Sequence, residues 1–149
     1  MINIRANLRS VDLFFKRIDA ELEDLRPFWR ILIDRVIIAE IREVFNSDGR
    51  GRWAPRVDSL PHPLLRKSRR MFQSLTDTSH RDNINRQTAT SLEFGSDVPY
   101  HIIHEEGRGR VPARPVLGFL AEDSQFENDI EKEINNYFQR RIDSLQRSA

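Results

Sequence analysis

The sequence predicts a single α+β domain in which N-terminal helices and a C-terminal amphipathic helix pack on a small antiparallel β-sheet with a hairpin. Three observations lead there. Apolar residues recur at three and four positions near both ends of the chain, Gly and Pro crowd its middle, and Leu92-Glu93-Phe94 alternates apolar with polar just before Gly95. The first is the period of a helix buried along one stripe, the second interrupts any long helix, and the third is the period of a strand with one wet face. A chain of 149 residues falls within the size of one domain, 1–149, and can bury roughly 70% of its unfolded-state surface.

A first helix is predicted over 5–26, with Leu8, Val11, Phe14, Phe15, Ile18, Leu22 and Leu25 as its apolar face. Pro27 either occupies the first turn of a second helix or kinks one long helix. Phe28, Ile31, Leu32, Val36, Ile37, Ile41, Val44 and Phe45 carry the apolar face on until Asn46-Ser47-Asp48-Gly49 stops it, closing an N-terminal helical part over 1–46. Gly49, Gly51, Pro55, Pro61 and Pro63 make 46–63 a loop. A short helix suits 64–75, with Leu64, Leu65, Met71, Phe72 and Leu75 on one face and Arg66, Lys67, Arg69 and Arg70 in water. The hairpin is expected to have its first strand near 75–79, a polar loop over 80–88 and its second strand through Leu92 and Phe94. One helical turn over 100–104, a flexible Gly107-Arg108-Gly109-Arg110 loop and a buried strand over 116–120 complete the middle part, 47–120. In the last part, 121–149, Phe126, Ile130, Ile134, Tyr137, Phe138, Ile142 and Leu145 define a long amphipathic helix that Asp123 or Ser124 can cap.

Composition removes several functions. Twenty-four Lys and Arg against 23 Asp and Glu leave a net charge of +1, which argues against coating nucleic acid by bulk electrostatics. The absence of cysteine rules out disulfides, thiolate catalysis and Cys-based zinc sites. With no basic-then-apolar leader and no apolar run of roughly 18 residues, the chain reads as soluble, with no membrane partner.

Two candidate chemistries stand against a purely structural role. In 49–70, Arg50, Arg52, Arg56, Arg66, Lys67, Arg69 and Arg70 outweigh Asp58, a local charge of +6 that suits incidental contact with DNA or a generic protein-interaction module. No recognition-helix or RNA-binding signature accompanies it. His101 and His104 share one side of a helical turn with Glu105 adjacent, but the spacing is not His-Glu-x-x-His, and neither His62 nor His80 supplies a recognisable third ligand. Without a phosphate-binding Gly loop, a nucleophile elbow or a carboxylate dyad, no enzyme activity, cofactor or metal is expected.

Four segments in order, spanning about 53–145, carry a resemblance. They are Trp53-Ala54-Pro55; Leu65-Arg66-Lys67-Ser68-Arg69-Arg70-Met71-Phe72-Gln73-Ser74; Val98-Pro99-Tyr100-His101-Ile102-Ile103-His104-Glu105-Glu106-Gly107; and Val111-Pro112-Ala113-Arg114-Pro115-Val116-Leu117-Gly118. Together they resemble the phage virion morphogenesis family, the tail-completion and neck proteins of Mu-like and related tailed phages. That family carries Trp-x-Pro, Leu-x-x-Thr-Gly-x-Leu-x-x-Ser, Pro-Tyr-Ala-x-x-His-x-x-Gly and Pro-Ala-Arg-Pro-x-Leu-Gly. Two residues depart from its pattern: Arg69 stands where the family has Gly, and His101 where it has a small residue after the Tyr.

The resemblance implies a virion subunit that assembles in the bacterial cytoplasm as a ring, hexameric in the family, between the portal-side connector and the tail. Its partners would be further copies of itself, connector or adaptor proteins, and tail tube or sheath proteins. It also implies structural roles for Pro55, Ser68, Tyr100, His104, Gly107, Pro112, Ala113, Pro115, Leu117 and Gly118.

A ring needs heterologous contacts, one face of each subunit on a different face of the next. The loops 48–57 and 105–111 each contain Gly-Arg-Gly-Arg and read as mobile basic arms that order on docking, with Arg50, Arg52, Arg108 and Arg110 as interface candidates. The acidic segment 122–133 offers carboxylates for such guanidinium groups. Trp53 is either a lid on the core or an interface anchor. Arg114, bracketed by Pro112 and Pro115, either belongs to a stiff entry into a strand or reaches a neighbouring subunit.

Overall fold

The computed structural model describes residues 23–57, 63–66 and 68–148, without the side chains of 145, 146 and 148. The predicted helix over 5–26 therefore lies almost wholly outside the described residues, as do Asp58, His62 and Lys67. Residues 23–25, which that prediction included, are not helical. Helix α1 (Arg26–Leu32) begins with Pro27 in its first turn and passes through a π-helical turn, Ile33–Ile37, into α2 (Ile38–Asn46). The π turn realigns the apolar face. At about 100° per residue, the buried residues before it (Phe28, Trp29, Leu32) and after it (Ile38, Ile41, Val44, Phe45) would centre on different sides of a regular helix. One extra residue in the turn returns them to the same side.

The helix stops where the sequence predicts, and the chain reverses through four consecutive left-handed residues, Asp48, Gly49, Arg50 and Gly51. The Gly49 amide donates back to Val44 O at 2.7 Å, six residues around, as in a Schellman stop. Two of those four residues are not glycine and bear left-handed strain. The reversal folds Trp53 beneath Gly49, where a Cβ would overlap the indole.

Helix α3 (Arg70–Thr76) is shorter than the predicted 64–75; Leu64 and Leu65 form a turn instead. The reason is local. Leu65 and Arg69 both have positive φ, 59° and 58°, so the backbone cannot run helically from one to the other. The hairpin pairs β1 (Asn83–Gln87) antiparallel with β2 (Leu92–Ser96), from Asn83 opposite Ser96 to Gln87 opposite Leu92. The second strand lies where expected. The first does not: residues predicted as strand near 75–79 finish α3 and its turn, and β1 occupies the predicted loop 80–88. Asn83-Ile84-Asn85-Arg86-Gln87 has one apolar side chain and no alternation, so it is held by its partner and by α3, where Asn83 Nδ2 donates to Ser74 O at 2.7 Å.

After α4 (His101–Glu106), which covers the predicted helical turn, the residues 117–120 expected as a buried strand are helical, in α5 (Leu117–Glu122). A short apolar run fits either element, and periodicity alone does not choose between them. The C-terminal helix forms as predicted, α6 (Ser124–Ser148), with Asp123 Oδ1 accepting from the Gln125 amide at 2.9 Å as its cap.

The core is one cluster. Phe28 packs against Trp29 and Tyr137, joining α1 to α6, while Phe45 meets Trp53 and Phe72 edge to face. Leu92, Phe94, Leu117 and Leu120 complete it from the sheet and α5. The hairpin tip is pinned to the start of α1: the Leu25 amide donates to Ala89 O and Trp29 Nε1 to Thr88 O, each at 2.9 Å.

Candidate functional site

Segments far apart in the chain meet around α4 and the entry to α5, and they are the four motif segments. Trp53 Nε1 donates to Pro115 O at 2.8 Å. The Arg114 guanidinium donates to Ala54 O through Nε at 3.0 Å and Nη2 at 2.8 Å, and to Pro55 O at 3.2 Å. The Arg114 amide donates to His104 O at 2.6 Å. Ser68 Oγ and Tyr100 OH lie 3.3 Å apart, and the Tyr100 ring stands edge to face with His104. Gly107 has φ +74°, and a Cβ there would sit 2.8 Å from Ala113 N, a backbone atom that cannot swing aside. Apart from the Tyr100–His104 ring contact, which lies within the third segment, each of these contacts joins one motif to another.

Glu105 is the centre of this cluster. Its Oε1 accepts from the amides of Val116 and Leu117, both at 2.9 Å, and from His101 Nε2 at 3.0 Å, while Oε2 accepts from the Gly118 amide at 3.1 Å. The first amides of a helix have no partner within it, and a carboxylate there also meets the positive end of the helix dipole. Glu105 thus caps α5 from eleven residues away. Its side chain is 6% exposed. Burial pushes the carboxyl's pKa up from 4.5, but the His101 ring and the Val116 and Leu117 amides outweigh it and hold the group below that value. His101 is also buried, so the residue that departs from the family's small side chain is matched by the acid one turn later.

His104 is half-buried, and burial, followed by the charges of Arg114 and His101, lowers its pKa from 6.5 and favours the neutral ring. Among the described residues, no group of three or more His, Cys, Asp or Glu is placed to hold a metal ion. His80 is occupied locally: its Nδ1 accepts from the Asp82 amide at 3.2 Å.

The predicted interface residues divide into two sets. Trp53 is 5% exposed and its ring contacts Phe45, so within the chain it is the core lid. Arg50 pairs with Asp123 at 2.5 Å and Glu40 at 2.7 Å in the same chain. Asp123 of the 122–133 segment therefore serves inside the chain. Arg114 spends its guanidinium on the carbonyls of Ala54 and Pro55. Arg52, Arg108 and Arg110 remain on the surface, Arg52 with its guanidinium 5.5 Å from the centre of the Phe119 ring.

Neither basic loop is an open arm. The 48–53 reversal is closed by its own hydrogen bonds, and Arg108 and Val111 exchange two backbone bonds, at 3.0 and 2.9 Å, across a tight turn. Much of the charge in 49–70 is also engaged. Arg66 stacks 4.4 Å over Phe72 and donates to Asn46 Oδ1 at 2.7 Å, and Arg70 pairs with Asp82 at 2.7 Å.

Ser74, which matches the family's final Ser in the second segment, is fully buried, with its Oγ 2.6 Å from Ser96 Oγ and donating to Met71 O at 2.7 Å. Arg69, where the family has Gly, adopts φ +58°, a conformation open to Gly and strained for other residues. Replacing it should therefore stabilise. R69G relieves about 1–2 kcal/mol of left-handed strain against an unfolded-state entropy cost of about 0.5–1 kcal/mol. The expected net gain is a small rise in the denaturation midpoint, measurable by urea titration.

Two functional residues escape a reading of the sequence. Glu105 stands out there only as the neighbour of two histidines, and His101 only as one of that pair and as a departure from the family pattern. The signal for both is the His101/Glu105 spacing of one helical turn, meaningful only once 117–122 is known to be a helix that needs a cap. Compared with known proteins, the chain matches no family model, no curated protein and no solved structure. No helix among the described residues is long and apolar enough to cross a membrane.

Proposed function

We propose that this chain is a structural subunit of the head–tail junction of a tailed bacteriophage, forming a ring that completes the tail or joins it to the head connector. One observation carries the reading: the four segments that resemble the virion morphogenesis family form a single bonded cluster, in which motif residues support one another. The left-handed conformation of Arg69, at the family's Gly position, supports it independently. Motif residues consumed in this way suit a scaffold whose purpose is shape, since Pro112 to Gly118, Tyr100, Gly107 and Trp53 leave little free chemistry for turnover.

DNA contact is the weaker reading, because Arg50, Arg66 and Arg70 are engaged within the chain and fewer cations remain to neutralise phosphate. Deleting the gene in the phage that encodes this chain tests the role. The expected result is filled heads and separate tails in the lysate, with joined particles restored by supplying the protein. Normal infectious particles from the deletion would refute it.

A further inference from the structure

We propose that the turn 107–113 is a docking knob for a second copy of this chain, seating on the acidic first half of that copy's α6. The proposal rests on the ring reading and names its mating faces.

The knob is fixed before any partner arrives. Arg108 and Val111 close the turn through two backbone bonds, Gly107 is wedged against Ala113, and the Arg114 amide and guanidinium anchor the C-terminal side to His104, Ala54 and Pro55. A rigid exposed turn loses little conformational freedom on binding. Its tip presents Arg108 and Arg110 beside the exposed apolar side chains of Val111, Pro112 and Ala113. Arg110 has no acidic partner among the described residues, and Arg108 comes no closer than 3.9 Å to Glu106. An interface that combines arginine with apolar contact fits a protein surface better than a phosphate backbone.

The complementary face lies on the same molecule. Glu127 and Glu131 are exposed on α6, and neither side chain has an ion-pair or hydrogen-bond partner among the described residues. They sit four residues apart, one turn of helix, an arrangement in which like charges disfavour each other. An arginine from another copy between them relieves that repulsion and gains bidentate hydrogen bonds. Because knob and stripe are different surfaces, the contact is head-to-tail, and repetition closes into a ring if the rotation permits.

The absence of cysteine makes cross-linking clean. R110C and E131C chains, one bearing a size tag, are mixed under mild oxidation and compared with R110C mixed with R42C, which places a thiol on exposed α2 instead. The expected result is a mixed disulfide several-fold more abundant for R110C with E131C than for the control. Charge reversal gives a second measurement that leaves the buried cluster intact. R108E/R110E alone and E127R/E131R alone should each lose self-association in sedimentation, and an equimolar mixture should recover it by alternating around the ring. Preferential cross-linking without closed rings in native mass spectrometry would keep the docking contact and reject the ring. Closed rings without preferential cross-linking would keep the ring and overturn this contact. No cross-link above control, together with weakened binding of a DNA duplex by R108E/R110E, would overturn it in favour of nucleic acid.

Discussion

Replacing Glu105 with alanine is expected to cost about 3–5 kcal/mol, because several buried donors lose their one acceptor at once. Three amides at the start of α5 and the His101 ring lose their acceptor together. For a domain of this size that corresponds to a fall in Tm on the order of 10 °C, measurable by thermal melting followed by circular dichroism. E105Q keeps the volume but sets an NH2 group where a carboxylate oxygen faced an N–H, and should cost about 1–3 kcal/mol.

The same residue gives stability a pH dependence. Because the folded chain holds Glu105 below 4.5, folding favours its ionised form. The stabilisation is complete above the unfolded-state value and is lost as pH falls through the folded one. The wild-type acid-unfolding limb should therefore flatten in E105Q. An unchanged limb would show that Glu105 is not the titrating cap.

W53A is expected to cost about 3–5 kcal/mol as well, by the loss of a buried aromatic and the cavity it leaves. The cost comes from three places: the edge-to-face contact with Phe45, the indole bond that satisfies Pro115 O, and the packing under Gly49. W53F isolates the second, since a phenyl ring fills much of the space without donating, and should lose about 1 kcal/mol. The measurement is equilibrium unfolding of the isolated chain in urea. A W53A chain as stable as wild type but unable to form the proposed ring would make Trp53 an interface anchor and not the core lid.

Helices with strong periodicity are legible in the sequence. The stripe from Phe28 to Phe45, its stop at Asn46-Ser47-Asp48-Gly49, and α6 with its Asp123 cap all follow from local pattern. The π turn is not legible, because it is a phase correction imposed by what both halves of the helix must bury. Nor is β1, whose polar sequence owes its conformation to pairing with β2 and to Ser74 beneath it. Reading 116–120 as a strand has a wider effect. A strand there has no open N-terminal amides, so nothing calls for an acceptor and Glu105 stays without a role. The loops mislead for a related reason: Gly-Arg-Gly-Arg reads as mobile, yet left-handed backbone at 48–51 and the 108–111 bridge make both segments closed structures. The abundance of arginine is plain in the sequence, but its pairing is not, since whether Arg50 or Arg114 faces a neighbour depends on which carboxylates and carbonyls of its own fold lie within reach.

The most direct test of the proposed role is cryo-electron microscopy of particles from the phage that encodes this chain. The expected result is closed-ring density at the neck, between connector and tail, into which the subunit fits with α6 and the 107–113 turn at subunit boundaries. Intact virions with no density for this chain at the neck would contradict the role.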